Sequence, residues 1–238
     1  MSTCALILAA GKGERFGGEV GKLWTPLGGI PLLAWTLRAF HTHPEVDHLV
    51  LVGREGELER LRQLTASLHK VVGIVSGGEE RWQSVQAGLH AVPPEDQWVL
   101  VHDGARAAVS PALISRVLSA TRETGAAIPA LRVTDTLKWA DSRGTVRQTQ
   151  PRHRLEGGEP QQLVAVQTPQ GFSVELLRRA YAQYDFASHP PTDDAMVVEP
   201  IHPVSVVPGD AQNLKLTYPE DLPQMEAALL GRGEVRTG

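Results

Sequence analysis

Six short apolar runs punctuate the chain, and they leave few folds open. They are CALILA (4–9), HLVLV (48–52), VVGIV (71–75), WVLV (98–101), GAAIPA (125–130) and VSVV (204–207). A strand with one wet face alternates apolar and polar residues. An unbroken run rich in β-branched residues suits a strand covered on both faces, as in a parallel sheet. Amphipathic segments lie between the runs. At 31–41, Leu33, Leu37 and Phe40 fall on one face. At 111–123, Ser110 takes the N-cap, Pro111 the first helical position, and Leu113, Ile114, Val117 and Leu118 the stripe. Strand–helix alternation predicts right-handed crossovers and an α/β three-layer sandwich around a mostly parallel, Rossmann-like sheet. Ligands of such sheets bind beyond the carboxyl ends of the strands.

Residues 132–167 break the rhythm. No helical stripe is present, and β-prone pieces at 131–139 and 144–149 flank the turn signal ADSRG. The segment predicts a β-ribbon projecting from a single domain of residues 1–230. It has too few apolar residues for a core of its own, and an isolated hairpin is marginal in water. The tail, 231–238, reads as disordered.

Composition narrows the function classes. A chain of 238 residues with net charge −4 does not present a surface built for nucleic acid or anionic lipid, so any basic site must be local. Its single cysteine, Cys4, allows no internal disulfide and no cysteine zinc cluster. No apolar run is long enough to span a bilayer, and no signal-peptide pattern opens the chain. These features predict a cytoplasmic protein.

Three loops carry the chemistry. The first strand runs into AAGKGERFGGEVGK, where Gly11, Gly13, Gly17 and Gly18 let backbone N–H groups approach a ligand. Lys12, Arg15 and Lys22 supply charge for a triphosphate. The loop is neither a Walker A sequence nor the G-x-G-x-x-G fingerprint. It is a phosphate cradle or an ordinary strand–helix turn. The second loop, SGGEERWQSVQAGL (76–89), places Gly77, Gly78 and Glu79 before a helix that carries Ser84. That hydroxyl reads a base edge or caps its own helix. In the third, WVLVHDGARA (98–107), Asp103 stands just past a buried strand, where an acidic residue holds Mg²⁺ against phosphates or caps a turn. His102 has no second His or Cys at ligand spacing and reads as a core histidine.

These motifs, with TDTLK, QTPQGF, TDDA and NLKLT following in order, resemble the 2-C-methyl-D-erythritol 4-phosphate cytidylyltransferases over about residues 3–230. The resemblance implies transfer of CMP from CTP to a polyol phosphate, with Mg²⁺ as cofactor and isoprenoid precursor synthesis as the setting. It implies that Arg15 and Lys22 stabilise the transition state, and that Arg152 and Lys215 orient the incoming phosphate. Ala9, Ala10, Gly11, Gly13, Gly77, Gly78, Glu79 and Ser84 would bind the nucleotide. Arg106, Thr136 and Thr192 would bind the acceptor, and Asp103 the metal, with Asp210 a candidate second ligand. Arg154 competes with Arg152 for its role. The ribbon would clasp a second copy and bring Arg152 over the partner's site. A ribitol 5-phosphate cytidylyltransferase shares most of the motifs, and a non-catalytic nucleotide-binding regulator is the reading from another class.

The chemistry agrees. Nucleotidyl transfer asks for positioning and charge stabilisation, and the acceptor phosphate is its own nucleophile. The family pattern has proline where Gly21 stands, and alanine and proline where Gly104 and Ala107 stand. The two glycines predict looser loops at those places.

Overall fold

The computed structural model describes residues 2–17 and 21–231. Gly18 of the first loop, and the tail from residue 232, lie outside the described residues. The strands β1 (Ser2–Leu8), β4 (His48–Gly53), β5 (Val71–Ser76), β6 (Asp96–Asp103) and β7 (Ala126–Arg132) build the main sheet. It is completed by β12 (Val164–Val166), β13 (Gln170–Ser173) and β14 (Ser205–Pro208). Between β1 and β4 lies a small hairpin of β2 (Pro26–Leu27) and β3 (Ile30–Pro31). The sheet order is β12-β7-β13-β6-β1-β4-β5, with β14 also paired to β7. β1 is parallel to both β4 and β6, β4 to β5, and β7 to β14. β13 runs antiparallel to β6 and β7, so those two strands share one direction. All six predicted runs are strands of this sheet.

Both faces of the sheet are covered. On one, Ala5, Ile7, Leu49, Leu51 and Leu100 share a core with α1 (Leu32–His41), α2 (Leu58–Thr65), α4 (Pro111–Thr124) and α7 (Leu222–Leu230). On the other, Cys4, Leu6, Val50, Val52, Val99 and Val101 meet α3 (Arg81–Ala91), α5 (Val174–Gln183) and α6 (Asp194–Val198). Neighbours along one strand therefore serve opposite cores, which is why the runs are unbroken. Leu33, Leu37 and Phe40 are fully buried on α1, as their spacing predicted. The start of α4 follows the rule read from sequence: the Ser110 hydroxyl accepts from Leu113 N–H, and Gly125 ends the helix at φ 85°.

The segment at 132–167 is more elaborate than one ribbon. Its ends belong to the main sheet, as the end of β7 and as β12. Between them stand two hairpins, β8 (Leu137–Ala140) with β9 (Val146–Gln150), and β10 (His153–Glu156) with β11 (Glu159–Gln162). Gly157 and Gly158 turn the second at φ 60° and 86°, the left-handed pair that a tight hairpin needs. Trp139 and Leu155 are 64% and 77% exposed, large apolar groups that the arm itself does not cover.

The chain leaves β1 toward β4 on one side and returns to β6 on the other. Leu8 and Asp103 sit side by side at the carboxyl ends of β1 and β6. The reversal opens a crevice there, the place where ligands enter such sheets.

Candidate active site

A cavity of about 550 Å³ fills this crevice, and three distant stretches line it: Leu8 with residues 10–15, residues 78–81 with Ser84, and residues 103–105, while Ala9 lies outside the wall. Lys22, Leu23, Lys215 and Thr217 complete the wall. Lys12, Arg15, Lys22, Arg81 and Lys215 gather their cationic groups around this volume in a chain whose net charge is negative. That is the local basic site the composition called for.

The first loop is built by backbone geometry. Ala9 is buried and donates its N–H to Val52 O, which sets the direction in which the chain leaves β1. Gly13 has φ 67°, and a Cβ there would stand 3.4 Å from Lys22 Cβ, so the glycine lets the loop fold back on the turn that carries Lys22. That turn, Lys22–Trp24, begins from Gly21 at φ 75°, a conformation open to glycine and costly for proline or alanine. Burial, then Lys215 and Arg15, push the Lys22 ammonium below its usual range, against the opposing pull of Asp103 and Asp221. Arg15 places its guanidinium 6.0 Å from the centre of the Tyr218 ring.

In the second loop Ser84 both faces the cavity and holds the start of its own helix. Its hydroxyl lines the cavity, accepts from Gly78 N–H at 3.2 Å and donates to Glu80 O at 3.4 Å. Gly77 lies behind the wall. A Cβ on it would meet Ser84 Oγ at 2.5 Å and Ala10 Cβ at 2.6 Å, so this glycine lets the first and second loops touch.

Asp103 lies on the cavity floor between cations. Lys215 Nζ is 2.7 Å from Oδ2, and Arg81 Nε is 3.5 Å from Oδ1. Burial by itself would raise the Asp103 carboxyl. Arg81, Lys215 and Arg106 outweigh it and hold the group well below the usual carboxylate range. Its N–H donates to Thr168 Oγ1, whose hydroxyl also meets His102 Nδ1. His102 is fully buried, its Nε2 is 3.3 Å from Arg106 O, and burial pushes its imidazole down to about 3. It is the core histidine that the sequence suggested. Gly104 is not loose, contrary to expectation. Its N–H donates to Leu8 O and its carbonyl accepts from Thr36 Oγ1, and a Cβ would press on Leu8 O at 2.9 Å. Two strand ends and α1 pin it.

Other predicted residues lie outside the cavity of the single chain. Arg106 is not part of the cavity wall and donates to Asn213 O. Thr136 and Thr192 are exposed, and Arg152 donates to Thr134 O within the arm. Arg154 bonds Gln161 across the second hairpin. The Asp210 carboxylate accepts from the Ser110 hydroxyl and from Gln212 N–H.

Sequence reasoning missed Arg81. It stands at the head of α3, lines the cavity, and joins Asp103 to the fully buried Asp194 through Nη2 at 2.8 Å. Sequence reasoning also gave no role to QTPQGF or to Asn213 of NLKLT. In QTPQGF, Thr168 braces Asp103, while Gln170 Oε1 accepts from the N–H groups of Asp194 and Ala195. In NLKLT, Asn213 Nδ2 donates to Thr168 O, and Lys215 reaches Asp103.

Comparison with known proteins places nearly the whole chain beside one family. Residues 3–231 match the family described as 2-C-methyl-D-erythritol 4-phosphate cytidylyltransferase. A relative of that name from Gloeobacter violaceus is 44% identical over 229 residues, 94% of each chain. Another from Geobacillus kaustophilus is 42% identical, over 96% of this chain and 97% of its own. Among solved structures, the enzyme of that name from Thermus thermophilus superimposes with a TM-score of 0.75 at 35% identity, over 98% of this chain and 100% of its own. A 4-diphosphocytidyl-2C-methyl-D-erythritol synthase from Anaerococcus prevotii gives 0.79 at 29% identity, over 96% and 98%.

Proposed function

The chain belongs to the 2-C-methyl-D-erythritol 4-phosphate cytidylyltransferase family, and we propose a division of labour among its residues for the reaction. It is a nucleotidyltransferase of isoprenoid precursor synthesis, moving CMP from CTP to 2-C-methyl-D-erythritol 4-phosphate and releasing pyrophosphate. The observation that carries the residue assignment is the convergence of the glycine loop, the Ser84 segment, Asp103 and five cations on one cavity.

An oxygen of the acceptor phosphate attacks the α-phosphorus of CTP. The new P–O bond forms as the bond to the bridging oxygen breaks, and pyrophosphate leaves with that electron pair. The attacking phosphate is already ionised at neutral pH, so the protein supplies position and charge rather than a strong base. The glycine loop lays its N–H groups along the triphosphate. Arg15 and Lys22 bear on the α-phosphate as its charge redistributes, and act most strongly in the transition state. The Gly78–Ser84 wall reads cytosine. Lys215 steers the acceptor phosphate.

Asp103 fits a divalent cation. Its carboxylate is ionised and lies on the cavity floor, and among the described residues Oδ1 has only the long contact with Arg81. Mg²⁺ takes one or two carboxylates and completes its shell with water and substrate phosphates. Bound there, the cation would neutralise triphosphate charge.

A homodimer completes the site. The exposed Trp139 and Leu155 of the arm support pairing with a second copy. Arg152, Thr136, Thr192 and Arg106 then contribute to acceptor binding, Arg152 from the partner's arm. Substrates of this kind and one buried cysteine suit the cytoplasm, and no helix among the described residues is long and apolar enough to cross a membrane.

A pyrophosphate-release assay over four nucleoside triphosphates and a panel of polyol phosphates tests the reading. CTP with 2-C-methyl-D-erythritol 4-phosphate is the expected pair. Turnover that prefers ribitol 5-phosphate, or is equal with UTP, would overturn it.

A further inference from the structure

Arg81 is shared by two carboxylates that hold it unequally. Asp194 takes Nη2 at 2.8 Å, whereas Asp103 lies 3.5 Å from Nε. Asp194 cannot follow the arginine, because it is fixed on other sides. Its Oδ1 accepts from Tyr181 OH at 2.7 Å, and its N–H donates to Gln170 Oε1 at 3.1 Å. Tyr181 belongs to α5 and Gln170 to β13, so two packed elements anchor the buried carboxylate. On the other side of the guanidinium, Asp103 has Oδ2 closed by Lys215 and Oδ1 nearly free.

We infer that Asp194 is a positioning residue: it holds the Arg81 guanidinium back from Asp103 and keeps one Asp103 oxygen open to the divalent cation that arrives with the triphosphate. The inference rests on the reading of Asp103 as the cation's ligand. Without the charge on Asp194, Asp103 is the carboxylate left in contact with Arg81. Arg81 then closes on Oδ1 and competes with the cation. Shortening that contact from 3.5 Å to the 2.8 Å now made with Asp194 strengthens the pair by about tenfold at an effective dielectric of about 20.

The test is CTP binding by titration calorimetry without acceptor, so that nothing turns over, at a series of free Mg²⁺ concentrations. In the wild-type protein Mg²⁺ strengthens CTP binding with a defined midpoint. Asp194→Asn keeps the acceptor for Tyr181 and removes the charge, and it is expected to move that midpoint about tenfold higher. Tyr181→Phe loosens the same region but keeps the charge, and its midpoint should stay at the wild-type value. A role that is only structural would lower the melting temperature of both variants and move neither midpoint. The double variant Arg81→Gln, Asp194→Asn leaves a neutral pair and removes the competitor, so its midpoint should return to the wild-type value or below. A wild-type midpoint in Asp194→Asn overturns the inference. Should that single variant not fold, a midpoint well above wild type in the double variant does the same. CTP binding that ignores Mg²⁺ in the wild-type protein overturns the cation reading of Asp103 itself.

Discussion

Gly77→Ala asks how closely the two cavity-lining loops must touch. The added Cβ would stand 2.5 Å from Ser84 Oγ, 2.6 Å from Ala10 Cβ and 3.0 Å from Val52 Cγ1. Ala10 Cβ moves only with its backbone, so rotating Ser84 does not relieve the strain and backbone has to shift. Restoring ordinary carbon–carbon contact with Ala10 needs a shift of roughly 1 Å. Overpacking of this kind costs about 1–3 kcal/mol. In a chain of 238 residues that lowers the melting temperature by about 3–10 °C. The functional effect should be larger, since Ala10, Gly78 and Ser84 all line the cavity. A 1 Å misplacement of a positioning loop can cost about 10²-fold in rate. Differential scanning calorimetry and the kcat/KM for CTP measure the two effects. Gly11→Ala is the control. Its Cβ meets nothing within 4 Å, so the melting temperature should hold, while the KM for CTP rises if ligand backbone contact is close. Wild-type melting temperature and wild-type kcat/KM in Gly77→Ala would refute the idea that the loops are in contact here.

Lys22→Ala should lower kcat by about 10²-fold or more and change the KM for CTP far less; the reverse pattern in steady-state kinetics would make Lys22 a ground-state binder. His102 gives the protein an acid weakness of predictable sign. Its imidazole is held at about 3 when folded, against 6.5 in the unfolded chain. Stability is therefore full above about pH 6.5 and falls as the pH drops toward 3, because only the unfolded chain takes up the proton. By pH 5 the loss is about 2 kcal/mol. His102→Gln should flatten this limb in urea unfolding at pH 7 and pH 5, and an unchanged slope would exclude His102 as the cause. If Arg152 acts across the dimer, mixing inactive Lys22→Ala and Arg152→Ala homodimers should restore about a quarter of wild-type activity, since half the dimers are mixed and each has one intact site. No recovery, with subunit exchange demonstrated by native mass spectrometry, would place Arg152 in its own subunit's site.

The sheet was legible where one physical cause dominated. β1 and β4 are covered on both faces, so residues 4–8 and 49–52 are apolar without a break and the pattern announces itself. β13 sits between β6 and β7 in the middle of the same sheet, yet QGFS offers one large apolar residue. Its Gln170 is buried because its side-chain oxygen accepts from two N–H groups at the start of α6. Gly171 has its place because a Cβ would collide with Thr121 Oγ1. Neither reason is a matter of hydrophobicity. The second arm hairpin did carry a signal, the Gly157–Gly158 pair, but short polar strands around it gave no apolar alternation to support the turn.

The same distinction explains which site residues could be found. Residues that line the cavity, such as Gly13, Lys22 and Asp103, lie in or just before the loops that follow β1 and β6, in motifs with their own local grammar. Arg81 stands two residues after Glu79 in such a motif and still escapes notice, because its meaning lies in partners 22 and 113 positions away. An arginine at the head of a helix is ordinary until a buried carboxylate from α6 is found beneath it. Asp194 is equally silent in the string TDDA, where Asp193 does the visible work of capping the helix. What makes the pair informative is an inequality of 0.7 Å between two ion pairs, 2.8 Å against 3.5 Å. That difference arises only when β6, β13, α3, α5 and α6 are packed together. The charges at the cavity can be read from the chain, but the order in which they hold one another is set by packing.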